Sequence, residues 1–97
     1  MLDLRISGEA GDDLDSIWRY TRDRYGGAAA DDYLRGFNAL FDLLRERPEA
    51  GAVVPGIRPE MRSFGHRRHR AYYRIIAHRI EIVRIAHKAQ NARLFFD

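Results

Sequence analysis

The sequence predicts an α+β fold: an N-terminal strand and an α-helical hairpin packed on an antiparallel β-sheet, in the order β-α-α-β-β-β. Three observations carry this. The chain opens on a short period-two apolar segment, continues through two long stretches with apolar residues at steps of three and four, and closes on a third rich in Ile, Val and Tyr.

Leu2, Leu4 and Ile6 alternate with Asp3 and Arg5, as in a short strand with one buried face. Ser7 stands where a helix N-cap is needed, and Glu9, Asp12 and Asp13 follow where the positive end of the helix dipole favours carboxylates. Leu14, Ile17, Trp18, Thr21 and Tyr25 then form one apolar stripe, and Gly26-Gly27 stops the helix. A second helix from near Ala28 carries Tyr33, Leu34, Phe37, Leu40, Phe41 and Leu44 at helical spacing before Pro48 ends it. So short a connection folds the two helices back on each other. Residues 48–60 hold all three prolines and read as a surface connection. Met61–His66, Arg70–Ala77 and Ile80–Ala86 read as three strands, joined so closely that neighbours are antiparallel.

The length of 97 residues fits one domain over 1–97. No run approaches the ~18 apolar residues of a membrane span, and the start, Met-Leu-Asp-Leu-Arg, lacks the pattern of a signal peptide, so a cytoplasmic location is expected. The absence of cysteine excludes disulfides, thiolate metal sites and thiol nucleophiles. Charge is divided unevenly. Residues 1–50 hold 7 Arg against 11 acids, a balance of −4; residues 51–97 hold 10 Arg or Lys against 3 acids, a balance of +7, together with all four His. The C-terminal half therefore predicts a basic surface for an acidic partner or a phosphate backbone. All but Lys88 of the 17 basic residues are arginine, the better residue for forked contacts.

The order of elements, and the words within it, resemble the ParE branch of the RelE/ParE toxin superfamily nearly end to end. The stretches that carry the resemblance are Asp13-Leu14-Asp15-Ser16-Ile17-Trp18-Arg19-Tyr20, Arg47-Pro48-Glu49-Ala50-Gly51, Met61-Arg62-Ser63-Phe64, Tyr72-Tyr73-Arg74, Ile82-Val83-Arg84-Ile85-Ala86-His87 and Asn91-Ala92-Arg93. The resemblance implies a type II toxin that inhibits DNA gyrase. It further implies neutralisation by a ParD-like ribbon-helix-helix antitoxin in a heterotetramer or larger complex, with operator DNA reached only through the antitoxin. It implies no catalytic turnover, and the residues themselves lead to no expectation of a cofactor, a metal or a membrane partner. On this reading Trp18, Tyr25, Arg62, Tyr72, Arg74 and Arg84 meet the antitoxin, while His87, Arg93, Leu94, Phe95 and Phe96 meet the target. The rival from the same superfamily is a RelE-like ribosome-dependent mRNA endonuclease using Arg74, Arg84 and His87 to hold phosphate and move protons. Such enzymes usually add a basic residue and a functional tyrosine just after the last strand; here Lys88-Ala89 follows and no tyrosine comes after Tyr73, which favours the non-catalytic branch. Resemblance to related nucleases that use a terminal His keeps the rival open through His87. A binding module without toxicity is the third reading.

Residue chemistry leaves further alternatives. With a three-residue loop at Ala77-His78-Arg79, Ile76 opposes Ile80 and Tyr72, Arg74, Ile82 and Arg84 share a face, leaving Tyr73, Ile75, Val83 and Ile85 to cover the helices. A two-residue loop, His78-Arg79, would pair Ala77 with Ile80 and separate the two arginines. Either arginine can instead pair with a carboxylate such as Glu81. His66-x-x-His69 lacks a second ligand pair, so His66-Arg67-Arg68-His69-Arg70 reads as a solvated basic turn. That turn attracts nucleic acid only non-specifically, lacking the interleaved aromatics of a single-strand platform. Trp18 and Tyr25 read first as core, and Arg93–Phe96 either docks on the chain's own core or is presented to a target.

Overall fold

The computed structural model describes residues 1–96. Its elements are β1 (Asp3–Ile6), α1 (Gly8–Tyr25), α2 (Gly27–Glu46), β2 (Ala52–Val53), β3 (Arg62–His66), β4 (His69–Ile76), β5 (Arg79–His87) and α3 (Arg93–Phe96). The expected α+β architecture is present: a helical hairpin covers one face of a sheet. The sheet is mixed, with strand order β1-β5-β4-β3-β2, because β1 pairs parallel to β5 while the other pairs are antiparallel. β2 and α3 have no counterpart among the predicted elements. They are two and four residues long, too short for any periodicity to announce them.

Ser7 starts α1 as predicted, its hydroxyl accepting the Ala10 N–H at 3.0 Å. The same hydroxyl donates to Val83 O at 2.8 Å, so the cap also fixes the helix to β5. Gly26, at φ 93°, separates the helices in a conformation open chiefly to glycine. The hairpin buries Ala10, Phe37, Leu40, Phe41 and Leu44 against Ala71, Tyr73, Ile80, Ile82 and Ile85. Leu14 and Ile17 join this core, but Tyr25 is 61% exposed, so the apolar stripe of α1 leaves the core before its last turn.

Neither expected register of the β4–β5 hairpin is observed. Ile76 faces Arg79 across a two-residue turn, Ala77-His78, whose φ angles of 46° and 66° give the primed twist that suits a hairpin. Tyr73 pairs with Ile82, then a bulge places Tyr72 opposite Arg84 and leaves Val83 as the extra residue. The bulge changes which residues face the helices: Ile82 and Ile85 both enter the core, whereas Val83 joins a second cluster with Ile57, Met61, Tyr72 and Ala86. Ala92, Phe95 and Phe96 of the C-terminal segment complete that second cluster.

Tyr73 holds the exit from α2. Its hydroxyl donates to Pro48 O at 2.7 Å and accepts the Gly51 N–H at 2.8 Å, while Arg62 donates to Gly51 O at 2.8 Å. A side chain at Gly51 would collide with the Tyr73 ring, which is why glycine stands there.

Candidate functional site

Beyond Ile82, β5 loses its neighbour β1 and presents an open edge toward α1. Asp13 closes it. Its Oδ2 accepts the Ile85 N–H at 2.9 Å and Arg84 Nε at 2.8 Å, and its Oδ1 accepts Arg84 Nη2 at 3.0 Å. Glu9 adds a contact to Arg84 Nη1 at 3.3 Å, and Phe95 lies under the guanidinium at 4.9 Å from the ring centre. The carboxylates raise the pKa of Arg84 further above its usual range, chiefly through the hydrogen bonds to Asp13. Asp13 is thus more than a complement to the helix dipole.

A group of ring side chains sits at the His69–His87 end of the β4–β5 ladder, under α2. The His66 ring lies 4.7 Å from Phe37 and 4.9 Å from Tyr33, and its Nε2 donates to Tyr33 O at 3.1 Å. Gly36 makes room for that ring; a Cβ there would overlap it, which explains a glycine inside a helix where it costs ~1 kcal/mol. His69 Nδ1 meets the Tyr33 hydroxyl at 2.7 Å, and that hydroxyl also accepts the Arg68 N–H at 3.3 Å. The His69 ring lies 5.4 Å from that of His87, whose Nδ1 accepts the Ala89 N–H at 3.0 Å. Burial, and then the neighbouring His87, His66 and Arg68, push His69 down to about 4. Burial likewise lowers His66 and raises Tyr33. Near neutral pH His66 and His69 are therefore uncharged hydrogen-bonding groups.

This geometry corrects the reading of a solvated basic turn. Only Arg67 and Arg68 form the turn, and the histidines on either side belong to strands whose rings face α2. Two adjoining cavities of about 290 and 350 Å3 open beside the cluster. They share Tyr20, Arg68 and His69, and so form one trough along the second half of α1. Sequence reasoning missed it because its wall comes from three distant segments. Among the described residues, no group of three or more His, Cys, Asp or Glu is placed to hold a metal ion.

The other predicted site residues are scattered. Tyr72 is buried beside Phe96, with ring centres 5.4 Å apart, so it offers no surface to an antitoxin in this conformation. Arg62 is occupied by Gly51 O and by Glu60 at 3.4 Å, and Arg84 by Asp13 and Glu9. Trp18 donates its indole N–H to Asp31 at 2.9 Å, tying α1 to α2. Tyr25 is exposed and Arg74 partly so, the latter reaching Pro59 O at 3.4 Å. In the tail Phe95 and Phe96 dock on the sheet, while Arg93 and Leu94 stand in solvent. Arg74, Arg84 and His87 do not converge. Arg74 pairs with Glu81 and His87 lies six residues further along β5, roughly 20 Å away at the rise of a strand.

The described elements form an α+β fold in which a helical hairpin covers one face of a five-stranded mixed sheet. The structure superposes on a chain described as the chromosomal ParDE TA system from P. aeruginosa with a TM-score of 0.78. That likeness is at 24% identity and covers 90% of this chain and 96% of the other. The sequence is 36% identical over 93 residues to a toxin ParE1 of Caulobacter vibrioides, covering 96% of each chain. It is 32% identical over 79 residues to a toxin ParE1 of Mycobacterium tuberculosis, covering 80% of this chain and 81% of that one. Residues 4–92 match the family described as the ParE toxin of the type II toxin-antitoxin system, parDE. The chain belongs to the ParE toxin family.

Proposed function

We propose that this ParE-type toxin acts in the cytoplasm by inhibiting DNA gyrase, and that a ParD-like ribbon-helix-helix antitoxin neutralises it. The observation that carries the reading is the family match over residues 4–92, supported by relatives of nearly equal length that bear the name toxin ParE1. The protein works by binding, without turning over a substrate. The basic C-terminal half favours an acidic antitoxin segment, with Tyr25 and Arg74 the most accessible of the residues assigned to that contact. His87, Arg93 and Leu94 remain available for the target, and Leu94 is 77% exposed.

The decisive experiment sets the purified toxin in parallel assays of gyrase supercoiling with trapped cleavage complexes, and of ribosome-dependent mRNA cleavage. Loss of supercoiling with accumulation of gyrase-dependent breaks, reversed by the antitoxin from the neighbouring reading frame, is the expected result. Cleavage of ribosome-bound message would overturn it in favour of an endonuclease, and activity in neither assay would leave a binding module without toxicity. The geometry gives the endonuclease no help through Arg74, Arg84 and His87, since they lie apart.

A further inference from the structure

The trough beside Tyr33 sets aromatic rings against a cationic rim. Its apolar wall is formed by Ile17, Tyr20 and Tyr25 of α1, with Tyr33 of α2, and its opposite rim by Arg67, Arg68 and His69. Tyr20 is 59% and Tyr25 61% exposed, so both rings have a face open to a ligand. Arg67 and Arg68 form no ion pair among the described residues, and the one carboxylate on the trough is Asp32, at its α2 end. Arginine guanidinium groups already lie over two of the tyrosine rings, Arg24 over one face of Tyr20 at 5.4 Å and Arg67 over Tyr33 at 5.9 Å.

We propose that this trough binds single-stranded nucleic acid, with bases stacked on Tyr20 and Tyr25 and the intervening phosphates held by Arg67 and Arg68. Aromatic faces beside a cationic rim are what a strand without base pairing needs, since each base has a π-face and each linkage one negative charge. A duplex keeps its bases stacked within itself and cannot reach the rings. An acidic peptide would satisfy the arginines but would leave the tyrosine faces without flat partners. The aromatics that the basic turn lacks in sequence are therefore supplied by the helical hairpin. This binding is independent of the choice of cellular target, and it shares Tyr25 with the antitoxin contact proposed above.

The test is fluorescence anisotropy of the full chain with labelled oligothymidylate and oligouridylate of about 12 nucleotides, and with a duplex of equal length, across a salt series. Both single strands are expected to bind more tightly than the duplex, and a difference between them reports preference for DNA or RNA. Tyr20→Ala and Tyr25→Ala should each weaken binding roughly 5- to 100-fold. Arg68→Glu should weaken binding and flatten its salt dependence, whereas Arg19→Glu, the same charge change elsewhere on α1, should have a much smaller effect. Circular dichroism melts confirm that each variant folds, as expected for exposed positions. Equal affinity for the duplex, indifference to both tyrosine substitutions, or equal losses from Arg19→Glu and Arg68→Glu would overturn the proposal. Displacement of the oligonucleotide by equimolar polyglutamate would also overturn it and assign the trough to an acidic segment.

Discussion

Asp13→Ala removes three contacts at once, two from the Arg84 guanidinium and one from the Ile85 N–H on the open edge of β5. Losing a charge-assisted pair costs about 1.5–3 kcal/mol, and stranding a buried amide about 1–3 kcal/mol. Arg84 keeps some access to water and Glu9 still faces it, so the low end applies to the pair. The Ile85 amide belongs to a buried residue and takes a value nearer the middle of its range, and the expected loss is about 3 kcal/mol. In a domain of this size that lowers the melting temperature by roughly 12–24 °C. It lowers the urea midpoint by roughly 1–3 M. Urea unfolding followed by far-ultraviolet circular dichroism measures it, with Arg84→Met and the double variant completing a cycle. Asp13→Asn should recover part of the loss, because its side-chain carbonyl can still accept the Ile85 N–H. A loss below about 0.5 kcal/mol for Asp13→Ala is the value of an ordinary surface pair and would refute the idea that Asp13 closes the sheet edge.

Tyr73→Phe strands Pro48 O and the Gly51 N–H in a closed site and should cost about 1–3 kcal/mol, with faster limited proteolysis between Pro48 and Val53 as the local readout. Gly36→Ala gains helix propensity yet pushes a methyl group into the His66 ring, so a net loss of about 1–2 kcal/mol in urea melts is expected; a net gain would show that His66 moves aside freely. The pKa of His69 is depressed in the folded chain, so between pH ~6.5 and about 4 the unfolded chain binds a proton that the folded chain refuses. Stability should therefore fall as pH drops through that window, and His69→Gln should reduce the slope in denaturant titrations at a series of pH values. An unchanged slope would assign the acid sensitivity to other groups.

How far the chain could be read in advance follows from the range of the forces involved. The two helices, the cap at Ser7, the break at Gly26-Gly27 and the three C-terminal strands were legible because each rests on residues a few positions apart. The words that mark the family also turn out to be framework residues: Asp13 and Arg84 clasp one another, and Tyr73 and Arg62 hold the Pro48–Gly51 exit.

The site was not legible in the same way. A two-residue turn at Ala77-His78 and a bulge at Val83 decide which side chains of β5 face the helices, and period-two counting cannot register an inserted residue. Tyr72, Arg62 and Arg84 have partners more than ten residues away in the chain, which spacing along the sequence does not reveal. The trough needs α1, α2 and the β3–β4 turn together. Periodicity is a property of neighbours along the chain, so composition and spacing determined the elements and the basic character of the second half. Only the docking of the helical hairpin against the sheet end set Tyr20, Tyr25 and Tyr33 beside Arg67, Arg68 and His69, because that proximity is the product of core packing and leaves no trace in local sequence.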